Sequence, residues 1–110
     1  MQKITTQLKF NNGALLEFFV LKMLSSRTHS LKEISAELKH IGFPAPSGSL
    51  YPLMSTLRRK NLVGTGYEEM DSDGPAKTYD LTKGGSERLQ ELKRDWKHLN
   101  ATVASLGKNC

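Results

Sequence analysis

Between residues 46 and 64 the chain reads PSGSLYPLMSTLRRKNLVG, and its polar groups are hydrogen-bond donors and cations. Ser47, Ser49, Tyr51, Ser55 and Thr56 carry hydroxyls, and Arg58-Arg59-Lys60 adds three positive charges. Hydroxyl, guanidinium and ammonium groups all donate to phosphate or carboxylate oxygens, so this set suits an anion. Acid–base or nucleophilic catalysis has no counterpart in the chain. His29, His40 and His98 are far apart, no carboxylates are paired for proton transfer, and there is no nucleophile motif, phosphate-binding loop or HExxH. DSDG at 71–74 lacks the later ligands and closing Glu of a calcium loop, which makes a hairpin turn the expectation. The single cysteine, Cys110, offers neither an internal disulfide nor a thiolate metal site. No enzyme activity, metal or cofactor is expected.

An anion-binding stretch is useful only if an element holds it outward. Leu50, Leu53, Met54 and Leu57 form an apolar stripe at helical spacing, and the opposite face then carries Pro52, Ser55 and Arg59, with Tyr51 and Arg58 on one flank. Pro52 would cost about 3 kcal/mol in a helix interior. In a first turn its missing N–H has no helical partner to lose, so the helix is expected to start at Ser47 or Ser49. Its front offers free N–H groups, the positive end of the dipole and two serine hydroxyls. The outer face is slim and polar enough for a DNA major groove. The cations at the back also complement the C-terminal dipole, so both readings of Arg58-Arg59-Lys60 stand.

The charge of +5 is uneven. Residues 1–60 hold nine Lys/Arg against Glu17, Glu33 and Glu37, whereas residues 61–110 hold seven basic and eight acidic side chains. The excess lies in the half that contains the anion-binding stretch, which favours phosphate-bearing partners. The 110 residues suit one domain. The polar N-terminus lacks the pattern of a signal peptide, and the apolar run from Ala14 to Leu24 is too short to span a bilayer. A cytoplasmic protein is expected.

The rest of the chain supplies the supports. Residues 1–12 read as a polar arm. GALLEFFVLKMLSS, 13–26, reads as a helix apolar nearly all round, which needs cover on more than one side. SLKEISAELKHI, 30–41, reads as a second helix. Ser30 and Glu33 form a capping box, Leu31, Ile34, Leu38 and Ile41 an inward stripe, and Lys32 and Lys39 face away. After the third helix, residues 61–70 and 76–81 read as two strands joined through Asp73-Gly74, with Lys77 on the second. A long amphipathic helix follows from Thr82 to about Gly107. The fold class is mainly α with a small β-hairpin: a winged helix-turn-helix over 13–81 and a C-terminal dimerisation helix with a short tail over 82–110.

Leu89, Leu92, Trp96, Leu99, Val103 and Leu106 repeat at 3, 4, 3, 4, 3, an a/d seam. With Leu15, Phe18 and Phe19 of the first helix it would close a two-fold interface; packing on its own domain is the alternative. Trp96 has two readings, as seam filler or as the wall of an effector pocket for a flat aromatic molecule.

SGSLYPLMSTLRRKNLV resembles the recognition helix of PadR-type transcriptional regulators. YEEMDSDGPAKTYDLTKGG resembles their wing, with its Gly-Pro, Lys, Tyr and Leu-Thr-x-x-Gly, ALLEFFVLKML their first helix, and ERLQELKRDWKHL the C-terminal helix of their short members. The likeness runs in order over 13–106. It implies a bacterial homodimeric repressor that binds a palindromic operator in double-stranded DNA through the third helix and the wing. It also implies, as in some short members, a planar aromatic effector stacked against the C-terminal tryptophan. There are two departures. HSLKEI lacks the family's tyrosine before the second helix, and Ala76 stands where an arginine usually flanks Lys77, which should weaken the wing's hold on DNA. The expected DNA-facing residues are Lys32, Lys39, Ser47, Ser49, Tyr51, Pro52, Ser55, Arg58, Arg59 and Lys77. Ser55 and Arg59 are the best placed for base edges, and Tyr51 and Lys77 for phosphate. The competing function is a winged-helix protein-interaction module, since Glu68, Glu69, Asp71 and Asp73 beside the wing are poorly suited to phosphate.

Overall fold

The computed structural model describes residues 12–46, 48–70 and 74–107. Among these, four helices and three strands follow one another: α1 (Asn12–Leu24), β1 (His29–Ser30), α2 (Leu31–His40), α3 (Leu50–Arg59), β2 (Val63–Met70), β3 (Gly74–Leu81) and α4 (Lys83–Ser105). The polar arm, the Asp73 half of the hairpin turn, Ser47 and Cys110 lie outside the described residues.

Four helix boundaries have a visible local cause. Ser30 caps α2 through a reciprocal box: its hydroxyl accepts from the Glu33 N–H at 3.2 Å, and its own N–H donates to the Glu33 carboxylate at 2.8 Å. At the far end Gly42 adopts φ 82°, its N–H bonding the Lys39 carbonyl while the Phe43 N–H reaches back to the Leu38 carbonyl at 2.9 Å. That Schellman closure ends α2 a residue early and turns Ile41, expected in the inward stripe, out to solvent. α3 closes in the same way on Asn61, φ 61°, with the Leu62 N–H on the Leu57 carbonyl at 2.9 Å. α4 begins at Thr82, whose hydroxyl accepts from the Gly85 N–H at 2.9 Å and donates to the Asn61 carbonyl at 2.7 Å.

The sheet has the order β1-β3-β2 and is antiparallel, with β2 and β3 paired from Val63↔Leu81 to Met70↔Gly74. The expected hairpin forms despite Gly64 and Gly66. The third strand was not anticipated: His29 and Ser30 pair with Tyr79 and Thr78, which ties the entrance of α2 to the wing.

The core gathers Leu16, Val20, Leu21 and Leu24 of α1, Ile34 and Leu38 of α2, and Leu50, Met54 and Leu57 of α3. Val63, Tyr79, Leu89 and Leu92 complete it. Leu89 and Leu92, expected at a two-fold interface, are buried within the single chain, because the first turns of α4 pack on α1. The seam therefore divides. Trp96 is 44% exposed, Leu99 is half-buried, Val103 is 56% exposed, and Leu106 lies just past the helix at 72%.

Candidate nucleic-acid interface

α3 is built as the sequence stripe requires. Leu50, Met54 and Leu57 are buried; Tyr51 (63% exposed), Pro52, Arg58, Arg59 and Lys60 face solvent, and Ser55 and Thr56 are half-buried between them. Ser49 is the residue before the helix, so Pro52 is the third helical residue, where no helical bond is lost. The residue four back is Gly48 at φ 79°, already turned out of the helix, so the ring meets no helical carbonyl. Ser49 itself does not cap. Its backbone is in the αR region, and its hydroxyl donates to the Pro46 carbonyl at 2.7 Å. Among the described residues the front N–H groups of α3 thus have no side-chain cap, which leaves the positive dipole end open to an anion.

A groove of about 550 Å³ runs between α2 and the front of α3. Leu31, Lys32 and Ser35 form one wall, Ala45, Pro46 and Gly48 the turn, and Leu50 and Tyr51 the other wall. Lys32 and Tyr51, nineteen positions apart, thereby share one cleft beside the open helix front. Lys39 is exposed two turns further along α2 and does not line this groove. On the back of α3, the Arg59 guanidinium donates from Nη2 to the Thr56 hydroxyl at 3.2 Å.

In the wing, the Lys77 ammonium sits 5.6 Å from the Tyr79 ring centroid, and its side chain is half-buried. Its cross-strand partner is Tyr67, 72% exposed. Cross-strand partners share a face, so Tyr67 is a second polar-tipped side chain beside Lys77. Sequence reasoning passed over Tyr67 because it sits in a glycine-flanked strand. The one available signal was its register opposite the lysine.

Around the capping box, the backbone N–H of Ser30 holds the Glu33 carboxyl below its ordinary value, aided by Arg27 and His29 and opposed by partial burial. Arg88 joins α4 to α1: its Nε bonds Glu17 at 3.1 Å and its Nη1 bonds Glu91 at 3.2 Å, and the Glu17 bonds raise the guanidinium above its ordinary value. Glu17 is the one acid of the otherwise apolar α1, and this ion pair accounts for it. Phe18 lies 6.4 Å from both Phe19 and Trp96 between ring centroids, so the first helix and the seam tryptophan meet within one chain. Among the described residues no cluster of metal-ligating side chains forms, and no helix is long and apolar enough to cross a membrane.

A helix-turn-helix whose third helix is followed by a β-hairpin defines the winged-helix class. The sequence profile described as "Transcriptional regulator PadR-like family" matches residues 20–91, and the chain belongs to that family. Among solved structures, a PadR-like transcription factor from Bacteroides fragilis is 28% identical with a TM-score of 0.75, over 96% of this chain and 99% of that one. A PadR-like transcriptional regulator from Bacillus cereus is 31% identical with a TM-score of 0.75, over 86% of this chain and 92% of that one. Bacillus subtilis PadR, solved in complex with operator DNA, shares the fold at 20% identity with a TM-score of 0.62, over 70% of this chain and 46% of that one. No curated protein sequence matches.

Proposed function

We propose that the chain is a homodimeric, sequence-specific repressor of transcription, acting in the bacterial cytoplasm on a palindromic operator in double-stranded DNA and relieved by a planar aromatic effector. The observation that carries the reading is the division of α3, whose apolar side is buried while Tyr51, Pro52, Arg58 and Arg59 stand exposed behind a front that Ser49 leaves uncapped. Membership of a family of transcriptional regulators supports it, as does the operator complex of Bacillus subtilis PadR. In this reading residues 13–81 bind DNA and residues 82–110 pair the subunits.

Ser55 and Arg59 meet base edges in the major groove. Lys32, Tyr51 and the front N–H groups of α3 close on one phosphate, with Ser47, Ser49, Pro52, Arg58 and Lys39 flanking the backbone. Lys77 and Tyr67 bring the wing to a second stretch of backbone. Phosphate contacts set register, and only the base contacts discriminate sequence. Leu15, Phe18, Phe19, Trp96, Leu99, Val103 and Leu106 supply the apolar surface between subunits, and the Trp96–Phe18 pair offers the flat wall for the effector. In a two-fold dimer the two copies of α3 fall one helical turn apart, roughly 34–36 Å.

Fluorescence anisotropy with a labelled duplex from upstream of the protein's own gene tests the reading. Binding should be tighter than to a scrambled duplex by about a thousandfold or more. Eight neutralised phosphates would make log K fall against log[salt] with a slope of about −7. Equal affinity for both duplexes at physiological salt refutes it. The exposed carboxylates of Glu68 and Glu69 on β2 favour one other reading, a protein-interaction module. That reading expects no operator and capture of a basic protein partner instead.

A further inference from the structure

The geometry points to Thr56 as a positioning residue that sets the sequence selectivity of Arg59. This inference rests on α3 reading DNA and deepens it, naming the side chain that aims the proposed base reader.

Arg59 lies at the exposed end of α3, one turn from Thr56, and donates from Nη2 to the Thr56 hydroxyl at 3.2 Å. No ion pair to Arg59 is seen among the described residues. A free arginine at such a position samples many rotamers, and ordering it on binding costs conformational entropy. The hydroxyl of Thr56 removes part of that freedom beforehand. Thr56 is half-buried and β-branched, so its own χ1 is restricted on the helix, and it is a firmer anchor than a long side chain would be. One N–H of the guanidinium is engaged, and the others remain for a paired contact with the O6 and N7 of a guanine. Such a contact depends on the angle of the guanidinium plane, whereas a phosphate accepts a donor from many directions. Loss of the anchor therefore degrades discrimination at one base pair per half-site while leaving backbone affinity in place.

The experiment is selection by the full-length protein from a randomised duplex pool of about three helical turns, run with the unaltered chain, Thr56→Val, Thr56→Ser and Arg59→Ala. Thr56→Val keeps the shape and removes the acceptor; Thr56→Ser keeps the hydroxyl. Matched thermal melts establish that each variant is folded. The expected result is that Arg59→Ala flattens one position of the selected motif, and that Thr56→Val lowers preference at that same position by about three- to tenfold. Thr56→Ser should restore it, and the salt slope of Thr56→Val should match that of the unaltered chain. A motif left unchanged by Thr56→Val, or flattened by it at every position alike, overturns the inference while the operator reading stands. So does an Arg59→Ala motif identical to the original. Enrichment of no sequence by the unaltered chain overturns the operator reading, and the inference with it.

Discussion

Gly85 and Tyr51 show how single residues divide into those that hold the fold and those turned outward. A Cβ at Gly85 would run into the Leu62 carbonyl oxygen and the Leu81 side chain, so the first turn of α4 sits directly on the exit of α3. The Leu-Thr-x-x-Gly motif has its physical cause there, since Thr82 caps α4 and bonds Asn61 while Gly85 permits the contact. Gly85→Ala should destabilise the protein by about 1–3 kcal/mol through overpacking, read as a lower urea midpoint at unchanged m-value. Tyr51→Phe removes only an exposed hydroxyl and should leave the urea midpoint unmoved. It should weaken operator and scrambled duplexes alike, the mark of a lost phosphate contact, in anisotropy titrations. Pro52 was legible from sequence because its constraint is local: a missing N–H and a ring that only a first turn accommodates. Thr56 and Tyr67 were not. Their interest comes from which neighbour each meets, Arg59 by a chosen rotamer and Lys77 by strand register, and neither leaves a trace in residue type.

Among the elements, α2 begins with a carboxylate bond that should respond to acid. Glu33 is held below its ordinary value near 4.5 by the Ser30 N–H, so the carboxylate contributes stability above the unfolded value, and that contribution disappears as pH falls through the folded value. The gap in stability between the unaltered chain and Glu33→Ala should therefore be full at neutral pH and close below about pH 4.5. Glu33→Gln keeps the bond to Ser30 without titrating, so its stability should be flatter across that window. Urea unfolding at a series of pH values checks both. Ser30→Ala, which removes the other half of the box, should cost about 1 kcal/mol. The capping box could be read from sequence because both partners lie within four residues. β1 could not: two residues carry no periodicity, and His29 and Ser30 become a strand only because β3 offers them an edge fifty residues later. Ile41 failed for a related reason, since the stripe ran one residue past His40, into the turn that Gly42 closes.

At the scale of the whole molecule, the C-terminal part of α4 decides what the chain is as an assembly. The helix is about 35 Å long. Its first turns are anchored by Leu89, Leu92 and the Arg88–Glu17 pair, while Trp96, Leu99, Val103 and Leu106 continue the same seam with far less cover. The heptad spacing displayed the seam but could not divide it, because an a/d pattern looks the same whether its partner is another copy or the chain's own α1. A segment this short is marginal as an isolated helix in water. A second copy laid along it would bury the apolar residues and order the last turns together. The unaltered chain should then sediment as a dimer at micromolar concentration and melt at a temperature that rises with protein concentration. Leu99→Glu with Val103→Glu should give a monomer whose melting no longer depends on concentration and whose far-ultraviolet helix signal is reduced by the frayed end of α4. That monomer should still unfold cooperatively, since the core containing Leu89 and Leu92 is complete within one chain. Its operator affinity should approach that of a single half-site, because the two copies of α3 are no longer held a helical turn apart. A monomeric unaltered chain, or a double variant that still dimerises, would place the two-fold interface elsewhere.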